Sequence, residues 1–512
     1  MHRLLWLLLT TLLVACSDDP APSTKVKTRP AESFETSTFE ELIAGLPTEG
    51  PVPFWPVLPE GDFVGSEVCA ECHAEEHALQ TATRMNGTGQ RITAENREQF
   101  FPEQLLEQEF QDPYNKHRYR YRFRDEGVVL EVADRRGKKK AEIPAEWAIG
   151  AGGRAFTYVT PVGAADLLEL RVSNYTYLDE WGVTPGQNPS RDIRGIQFGA
   201  RPAERCFDCH GTAIRTGDDG SLDTSEVMGG VQCERCHGPG QAHVDAMLKG
   251  EEDETHLLGL QDLPGAQQVA LCGQCHRRIE EVDVAEVLLE SSSIVRHSGV
   301  GITLSECFRA RPDELGCLNC HSPHEDSVKD DRSHYDVVCI GCHPGTVQQD
   351  GHGGEEGTIE TCIGCHMPAV ATSMGVEGRE SKFVDHWIRV PGKLGDVANP
   401  EARLKASPEL ADLIAGAAVQ ALRDDPDNHM AYANLGKILK VRGDLDRAAW
   451  AFEQSVRIEP SKIPNIGALA MLSMQLRLPG KTREACERIL ALDPDNEIAG
   501  KLLKRVDRIE NR

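Results

Sequence analysis

The clearest pattern in the first half of the chain is a strict alternation of basic and aromatic residues over Lys116–Arg124. A period of two places alternate side chains on opposite faces of a strand, and Asp125–Gly127 supplies a turn before the apolar run Val128–Val132. This pattern predicts a β-hairpin, whose arginine face is either an ordinary solvated face or a docking surface. With strand-like residues over Leu167–Tyr177, it predicts a small β insert over about 110–195.

After Pro391 the chain changes to an alanine- and leucine-rich pattern that is typical of helices. Similar residues recur every 34 positions, which is the period of tetratricopeptide repeats. We expect a linker over 391–407 and a helical repeat domain over 408–512, which docks a partner protein or peptide or merely caps the rest of the chain. The recurring positions are Pro426, Pro460 and Pro494, Tyr432 and Ile466, Leu435 and Leu469, Gly436 and Ala470, and Phe452 and Cys486.

The N-terminal apolar run Leu4–Val14 follows a basic start and is short for a membrane span, as in secretory signal peptides. It ends in Leu-Val-Ala before Cys16, which resembles a bacterial lipobox. We therefore expect a signal peptide over residues 1–15, acylation of Cys16, and a lipoprotein that is anchored to a bacterial membrane and faces the periplasm or the cell exterior. Residues 16–60 are rich in Pro, Ser, Thr and acidic side chains, which predicts a disordered tether.

Between these ends, seven copies of Cys-x-x-Cys-His dominate the sequence. Two thiols at this spacing can bond both vinyl groups of one porphyrin, and the histidine that follows lies under the iron as an axial ligand. Zinc sites do not need a histidine after every second cysteine, and a redox dithiol would occur once. The cysteines that predict seven covalently bound haems c are Cys69 and Cys72, Cys206 and Cys209, Cys233 and Cys236, Cys272 and Cys275, Cys317 and Cys320, Cys339 and Cys342, and Cys362 and Cys365. The axial histidines are His73, His210, His237, His276, His321, His343 and His366.

Porphyrins are large apolar faces, so closely spaced motifs predict a core that is filled by haem rather than by side chains. The predicted fold is therefore mainly α. It consists of a loop-rich, haem-packed cytochrome c domain over 61–390, the small β insert, and the helical repeat domain.

The net charge bears on the partners of the chain, and two further cysteines lie outside the motifs and the lipobox. The 512 residues include 81 acidic and 55 basic side chains, a formal net charge of −26 that argues against a nucleic-acid partner and suits either a redox partner protein or simple solubility. Cys307 is predicted to be a buried structural thiol and Cys486 a core residue of the repeats. A disulfide between them, or thiolate ligation at Cys307, is the alternative.

The second axial position of each haem decides the function. A side chain there gives an electron carrier, whereas an open iron can bind and transform a small molecule. His243 and His324 are the best candidate ligands, because each follows a motif by a short loop; His386 comes next, with Asp385 to hold its imidazole tautomer. Met85 is the candidate at the first haem, with a core residue as the alternative. Candidates that are equally well explained as solvated histidines are His77, His256, His297, His334 and His352.

The motif settings Gly65–His73, Cys233–His243, Cys317–His324 and Cys362–Pro368 resemble the multihaem cytochromes c related to cytochrome c554. That group is similar to pentahaem nitrite reductase and octahaem hydroxylamine oxidoreductase. The resemblance covers about Gly61 to Pro391, and the combination with repeats is similar to a group of predicted bacterial multihaem proteins. Two features depart from these relatives: no Cys-x-x-Cys-Lys motif is present, and a methionine stands at position 85, where relatives of cytochrome c554 often have a histidine.

Two functions fit these observations. The favoured one is a seven-haem electron carrier whose repeats hold a redox partner. The alternative is an oxidoreductase that acts on a small nitrogen or sulfur compound at one open haem, helped by Arg154 or Tyr158 of the insert. The many candidate ligands favour the carrier, while the long insert is more than a carrier requires.

Overall fold

The fold is described from a computed structural model of the chain. It describes residues 34, 36, 38–50, 61–125, 127–163, 166–187, 192–199, 206–214, 223–251, 255–288, 294–327, 333–345, 362–372, 381–390, 402, 404–405 and 407–510. No helix within these ranges is long and apolar enough to cross a membrane. The predicted signal peptide, Cys16 and His352 lie outside the described residues.

The chain divides into two compact units. The larger is Thr38–Asp444, and the smaller is Leu445–Arg512 together with the residues up to Ser37. All seven motifs belong to the larger unit. The division falls within the region of the 34-residue period, so the larger unit also contains the first helices of that region.

A four-stranded antiparallel sheet has the strand order β2-β3-β4-β5. The predicted hairpin is confirmed, because β3 pairs with β4 over its whole length and Tyr121 lies opposite Leu130. The arginine face forms ion pairs with Glu109, Glu131 and Glu142 and is a solvated face. The strands are β2 (Phe110–Gln111), β3 (Arg118–Arg124), β4 (Gly127–Ala133) and β5 (Lys139–Pro144).

A second, five-stranded antiparallel sheet has the order β1-β6-β7-β8-β11. Its strands are β1 (Gln90–Arg91), β6 (Trp147–Ile149), β7 (Thr157–Val162), β8 (Asp166–Leu170) and β11 (Gly195–Phe198), and the paired strands β9 (Val172–Tyr175) and β10 (Glu180–Val183) lie between β8 and β11 in sequence. The sheet region, residues 90–198, is therefore somewhat longer than the predicted insert. Its core is an aromatic cluster in which Phe101, Tyr121, Tyr158 and Trp181 lie 4.4–6.4 Å apart between ring centroids.

Short helices carry the motifs and their connections. They are α1 (Phe39–Ile43), α2 (Ser66–Ala70), α3 (Ala74–Thr81), α4 (Arg97–Phe100), α5 (Glu103–Leu106), α6 (Cys233–His237), α7 (Gln241–Lys249), α8 (Gly265–His276), α9 (Val284–Leu288), α10 (Ser298–Leu304), α11 (Glu306–Ala310), α12 (Ser333–Cys342) and α13 (Cys362–His366). Single turns of 3-10 helix lie at Leu260–Asp262, Ile279–Glu281, Ile294–Arg296 and Cys317–Asn319. Two small ribbons complete this part, β12 (Gly211–Ala213) with β13 (Met228–Gly229) and β14 (Ala369–Thr372) with β15 (Ser381–Val384).

Longer helices form the C-terminal part: α14 (Pro408–Asp424), α15 (His429–Val441), α16 (Leu445–Ile458), α17 (Ile463–Gln475), α18 (Pro479–Leu492) and α19 (Glu497–Glu510). Proline near the start of α14, α17 and α18 and the Asn428 side-chain cap on α15 favour these starting points. Positions that recur every 34 residues, such as Leu435 and Leu469, are buried as the period predicts.

The disordered tether predicted over residues 16–60 is wrong for residues 38–50. Thr38 and Glu41 form a capping box at the start of α1, and Leu42 is fully buried. Gly50 donates its N–H to Gln420 of α14 over 3.0 Å. This apolar anchor and hydrogen bond fix the segment against the larger unit in spite of its polar composition.

Candidate haem sites

Each motif lies on a helix or a helical turn. A helical turn places the two cysteines, three residues apart, on one side and the histidine beside them. The turn closes with a backbone hydrogen bond from the histidine N–H to the first cysteine carbonyl, as at His73 (2.8 Å), His321 (3.0 Å) and His343 (2.8 Å). The local helical structure therefore places the motif residues as the spacing of the haem-attachment motif requires.

Three motif histidines face a second histidine that belongs to no motif. His73 lies 6.3 Å from His243, His237 lies 6.2 Å from His324, and His321 lies 6.2 Å from His386, measured between ring centroids. Each partner follows a different motif in sequence, so the pairs join distant parts of the chain. These are the three histidines that the sequence ranks highest as second axial ligands.

The separation of these pairs fits an iron between the rings. A metal lies about 2.0–2.1 Å from an imidazole nitrogen, and that nitrogen lies roughly 1.1 Å from the ring centre because ring bonds are about 1.3–1.4 Å long. Two rings that bind one metal from opposite sides therefore have centroids about 6.2 Å apart.

The Nδ1 atoms of these imidazoles are held by hydrogen bonds. His237 Nδ1 lies 2.9 Å from the Leu258 carbonyl oxygen, His243 Nδ1 lies 2.8 Å from that of Thr255, and His386 Nδ1 lies 3.1 Å from that of Val384. A carbonyl requires the proton on Nδ1, which leaves Nε2 free to bind a metal. Backbone carbonyls carry no residue-specific signal, so sequence reasoning missed these contacts.

Asp385 does not hold the imidazole of His386, contrary to expectation. Its carboxylate accepts from the backbone N–H of Trp387 and pairs with Arg389 over 2.8 Å. An aspartate side chain readily accepts a hydrogen bond from the backbone N–H two residues ahead, as in an Asx turn. The carbonyl of Val384 takes the expected role.

Burial also favours the neutral imidazole form that binds iron. Desolvation lowers the pKa of His210 to about 4 and that of His386 to about 4. His210 Nδ1 bonds to the Thr88 hydroxyl, which comes from the segment before β1. Burial also lowers the pKa of His237, and the neighbouring His324 and His73 lower it further.

The other candidates are placed less simply. The Met85 carbonyl accepts from Val231 N–H over 3.0 Å, and the residue is half-buried. His77 Nε2 is buried and lies 3.9 Å from Glu67. His334 packs edge-on against Tyr335 at 5.3 Å.

His297 occupies the N-cap position of α10 without a side-chain cap, and Gly299 of this helix packs against the carbonyl oxygens of His276 and Arg277. His297 therefore lies close to the fourth motif. His256 is an exposed residue with a positive φ of 52°.

Tyr158 cannot assist chemistry at an open haem, because it is fully buried and donates its hydroxyl to the Phe100 carbonyl over 2.8 Å. Arg154 donates to the Lys382 carbonyl over 2.8 Å.

The predicted burial of Cys307 is not confirmed, because this residue is half-buried; Cys320 and Cys342 are its electrostatic neighbours. Cys486 is buried, and both Cys307 and Cys486 are free thiols.

The motif cysteines show which motifs are neighbours. Thiols of different motifs interact electrostatically in the pairs Cys69 and Cys233, Cys209 and Cys275, Cys272 and Cys317, and Cys339 and Cys362. Cys236 also lies near Cys272, and Cys320 near Cys339. The motifs therefore run in the spatial order first, third, fourth, fifth, sixth, seventh, and the second also adjoins the fourth.

A known family and a known protein are similar to parts of this chain in sequence. The family described as cytochrome c554 and c-prime matches residues 188–238, which include the second and third motifs. The multiheme cytochrome MtrA of Shewanella baltica (strain OS185) is 23% identical over 235 residues, which cover 41% of this chain and 67% of that protein. The chain is similar to multihaem c-type cytochromes. A multihaem cytochrome of this kind binds haem c covalently and exchanges electrons with redox partners.

Proposed function

We propose that this chain is a heptahaem c-type cytochrome that carries electrons in an extracytoplasmic respiratory or redox chain. The observation that carries the proposal is the facing of His73, His237 and His321 by a second histidine at 6.2–6.3 Å. Two histidine ligands leave no position on an iron for a substrate, which suits transfer of electrons and not chemistry on a bound molecule.

The residues have separate tasks in this proposal. Haem c supplies an iron that cycles between two oxidation states. The cysteines fix the ring edge, the paired histidines fix the iron, and carbonyls such as that of Leu258 fix the histidine tautomer. Because the cysteines of consecutive motifs in space are electrostatic neighbours, the proposed electron route runs from the motif of Cys69 to that of Cys362.

The test uses the purified protein. We expect seven haems per chain by pyridine haemochrome assay, together with low-spin optical and electron paramagnetic resonance spectra that carbon monoxide and nitrite leave unchanged. A high-spin haem that binds nitrite would contradict the carrier function and support the oxidoreductase. Fewer than seven haems would contradict the haem count.

The individual ligands are tested by substitution. His386→Ala should convert one low-spin signal to high-spin and open it to carbon monoxide, because His321 then loses the ring that faces it. His117→Ala is the matched control, since His117 lies just before β3 and bonds the Asn115 carbonyl. Unchanged low-spin spectra in His386→Ala would remove His386 from the ligand set.

The membrane anchor and the partner role complete the proposal. Acylation of Cys16 is expected to hold the protein on a membrane, so Cys16→Ala should move it to the soluble fraction; unchanged partitioning would contradict the anchor.

The tetratricopeptide repeats would dock the redox partner. Deletion of Leu445–Arg512 should abolish partner pull-down with unchanged haem spectra, and retained binding would contradict the docking role.

A further inference from the structure

The segment that follows the fourth motif is held in an unusual way. After α8 ends at His276, Arg277 adopts a left-handed φ of 62°, which is strained for a residue with a side chain. A turn of 3-10 helix, Ile279–Glu281, follows, and Val282 is then extended. Such a path needs contacts from elsewhere in the fold to hold it.

Asn434 of α15 supplies these contacts. Its Nδ2 donates to the Val282 carbonyl over 2.8 Å, and its Oδ1 accepts from the Val284 N–H over 3.0 Å. Asn434 is fully buried, and Val282 and Val284 are 6% and 1% exposed. One side-chain amide therefore satisfies a buried carbonyl and one of the free N–H groups at the start of α9.

Lys437 strengthens the same contact. It lies three residues after Asn434, on the same face of α15, and forms an ion pair with Asp283. Together the two side chains bind the backbone and one side chain of the short segment Val282–Val284. A helix-pair surface thus binds a peptide from its own chain, and both partners belong to the larger unit.

The bound segment connects directly to the fourth motif. Gly273, inside the motif, has room for no side chain, because a Cβ there would lie 2.7 Å from the Arg278 side chain. Arg278 is buried and pairs with Glu280, and Ile279 is buried beside them. Arg278, Ile279 and Glu280 are therefore buried between the motif and Val282, and the fourth motif adjoins three other motifs.

We propose that Asn434 and Lys437 are positioning residues for the fourth haem, and that Val282–Val284 is an internal ligand that occupies this surface of the first C-terminal helix pair. The inference rests on the proposed haem at Cys272, Cys275 and His276. It assigns the Asn434 and Lys437 surface of α15 to positioning a haem rather than to partner docking.

The test compares Asn434→Ala with the control Asn465→Ala. Asn465 is also a buried amide, but it bonds Ser455 within the smaller unit. Hydrogen exchange over residues 279–288 should accelerate at least about tenfold in Asn434→Ala, because a buried hydrogen-bond pair is lost. In the same variant, one midpoint potential and one electron paramagnetic resonance signal should shift, and this signal should be the one that is missing from a Cys272→Ala, Cys275→Ala variant.

Three outcomes would overturn the inference. Faster exchange with unmoved haem signals would make Asn434 a structural residue only, an equal shift in Asn465→Ala would indicate general loosening, and unchanged exchange would show that the segment does not depend on Asn434. Should Asn434→Ala fail to accumulate, Lys437→Met removes only the ion pair and should give a smaller shift of the same signal. A wild-type protein without a haem at the fourth motif contradicts the proposed function, whereas an intact haem with an unmoved signal contradicts this inference alone.

Discussion

The sheet region and the motif region, residues 206–390, bury their apolar surface in different ways. In the sheet region, Phe101, Tyr121 and Tyr158 are all less than 2% exposed and pack against one another. The motif region has a small buried cluster around Val269 and Phe308, but it also leaves Leu248 and Val337 82% and 71% exposed. Amino acids alone complete the first core, whereas we propose that porphyrins complete the second.

The strongest way to test this contrast is to withhold haem. We expect the chain produced without haem attachment to lose hydrogen-exchange protection across the motif region, because its apolar contacts are missing. Protection of β3, β4 and β7 should persist. Loss of protection in both regions at once would show that the sheet region also depends on haem.

The next largest effect should come from the aromatic core. Phe101 is fully buried and stacks on Tyr158 at 4.4 Å, so Phe101→Ala should lower the free energy of unfolding of the sheet region by about 3–5 kcal/mol. Chemical denaturation that is followed by tryptophan fluorescence measures this. The haem spectra should stay unchanged, and Phe63→Ala, at a 43% exposed position, should have little effect.

A smaller effect is expected at Thr88, which lies just before the sheet region and contacts the motif region at His210. Thr88 bonds to Nδ1 of His210, so Thr88→Val should cost about 1 kcal/mol and change the electron paramagnetic resonance signal of one haem. Thr160→Val is the control, because Thr160 is equally buried but bonds to Glu146 within the sheet region. If both variants left every haem signal in place, the Thr88 hydroxyl would have no role in ligation.

The smallest effect is predicted for the arginine face of β3. Arg122 forms an ion pair at 3.8 Å with Glu131, and its side chain is 40% exposed. Solvent screens such a pair, so Arg122→Gln should change stability by less than about 0.5 kcal/mol. A larger loss by thermal denaturation would mean that this face contributes to the fold.

Local patterns in the sequence predicted local structure well. The alternation at Arg118–Arg124 predicted β3 and its partner, because a period of two leaves few alternatives. The strand-like residues Leu167–Tyr177 cover most of β8 and all of β9, whereas β10 was not predicted. His243 could be chosen as a candidate ligand from its place after a motif. Its pairing with His73 could not be predicted, because the two residues come together only when the first and third motifs meet.

The same limit explains why Asn434 was missed. A repeat period predicts which side chains pack inside a helix pair and contains no information on what lies against its outer surface. Asn434 stands next to Leu435, a predicted core position, and would pass for an ordinary helical residue. Only the tertiary structure shows that its amide bonds to Val282 and Val284.

The closeness of motifs that are distant in sequence also bears on how the protein is made. Cys69 and Cys233 are far apart in sequence but interact electrostatically in the folded chain. In the oxidising compartment that we propose for this chain, neighbouring free thiols can form a disulfide, after which neither can bond a vinyl group. We therefore expect haem attachment to precede the folding step that joins the first and third motifs.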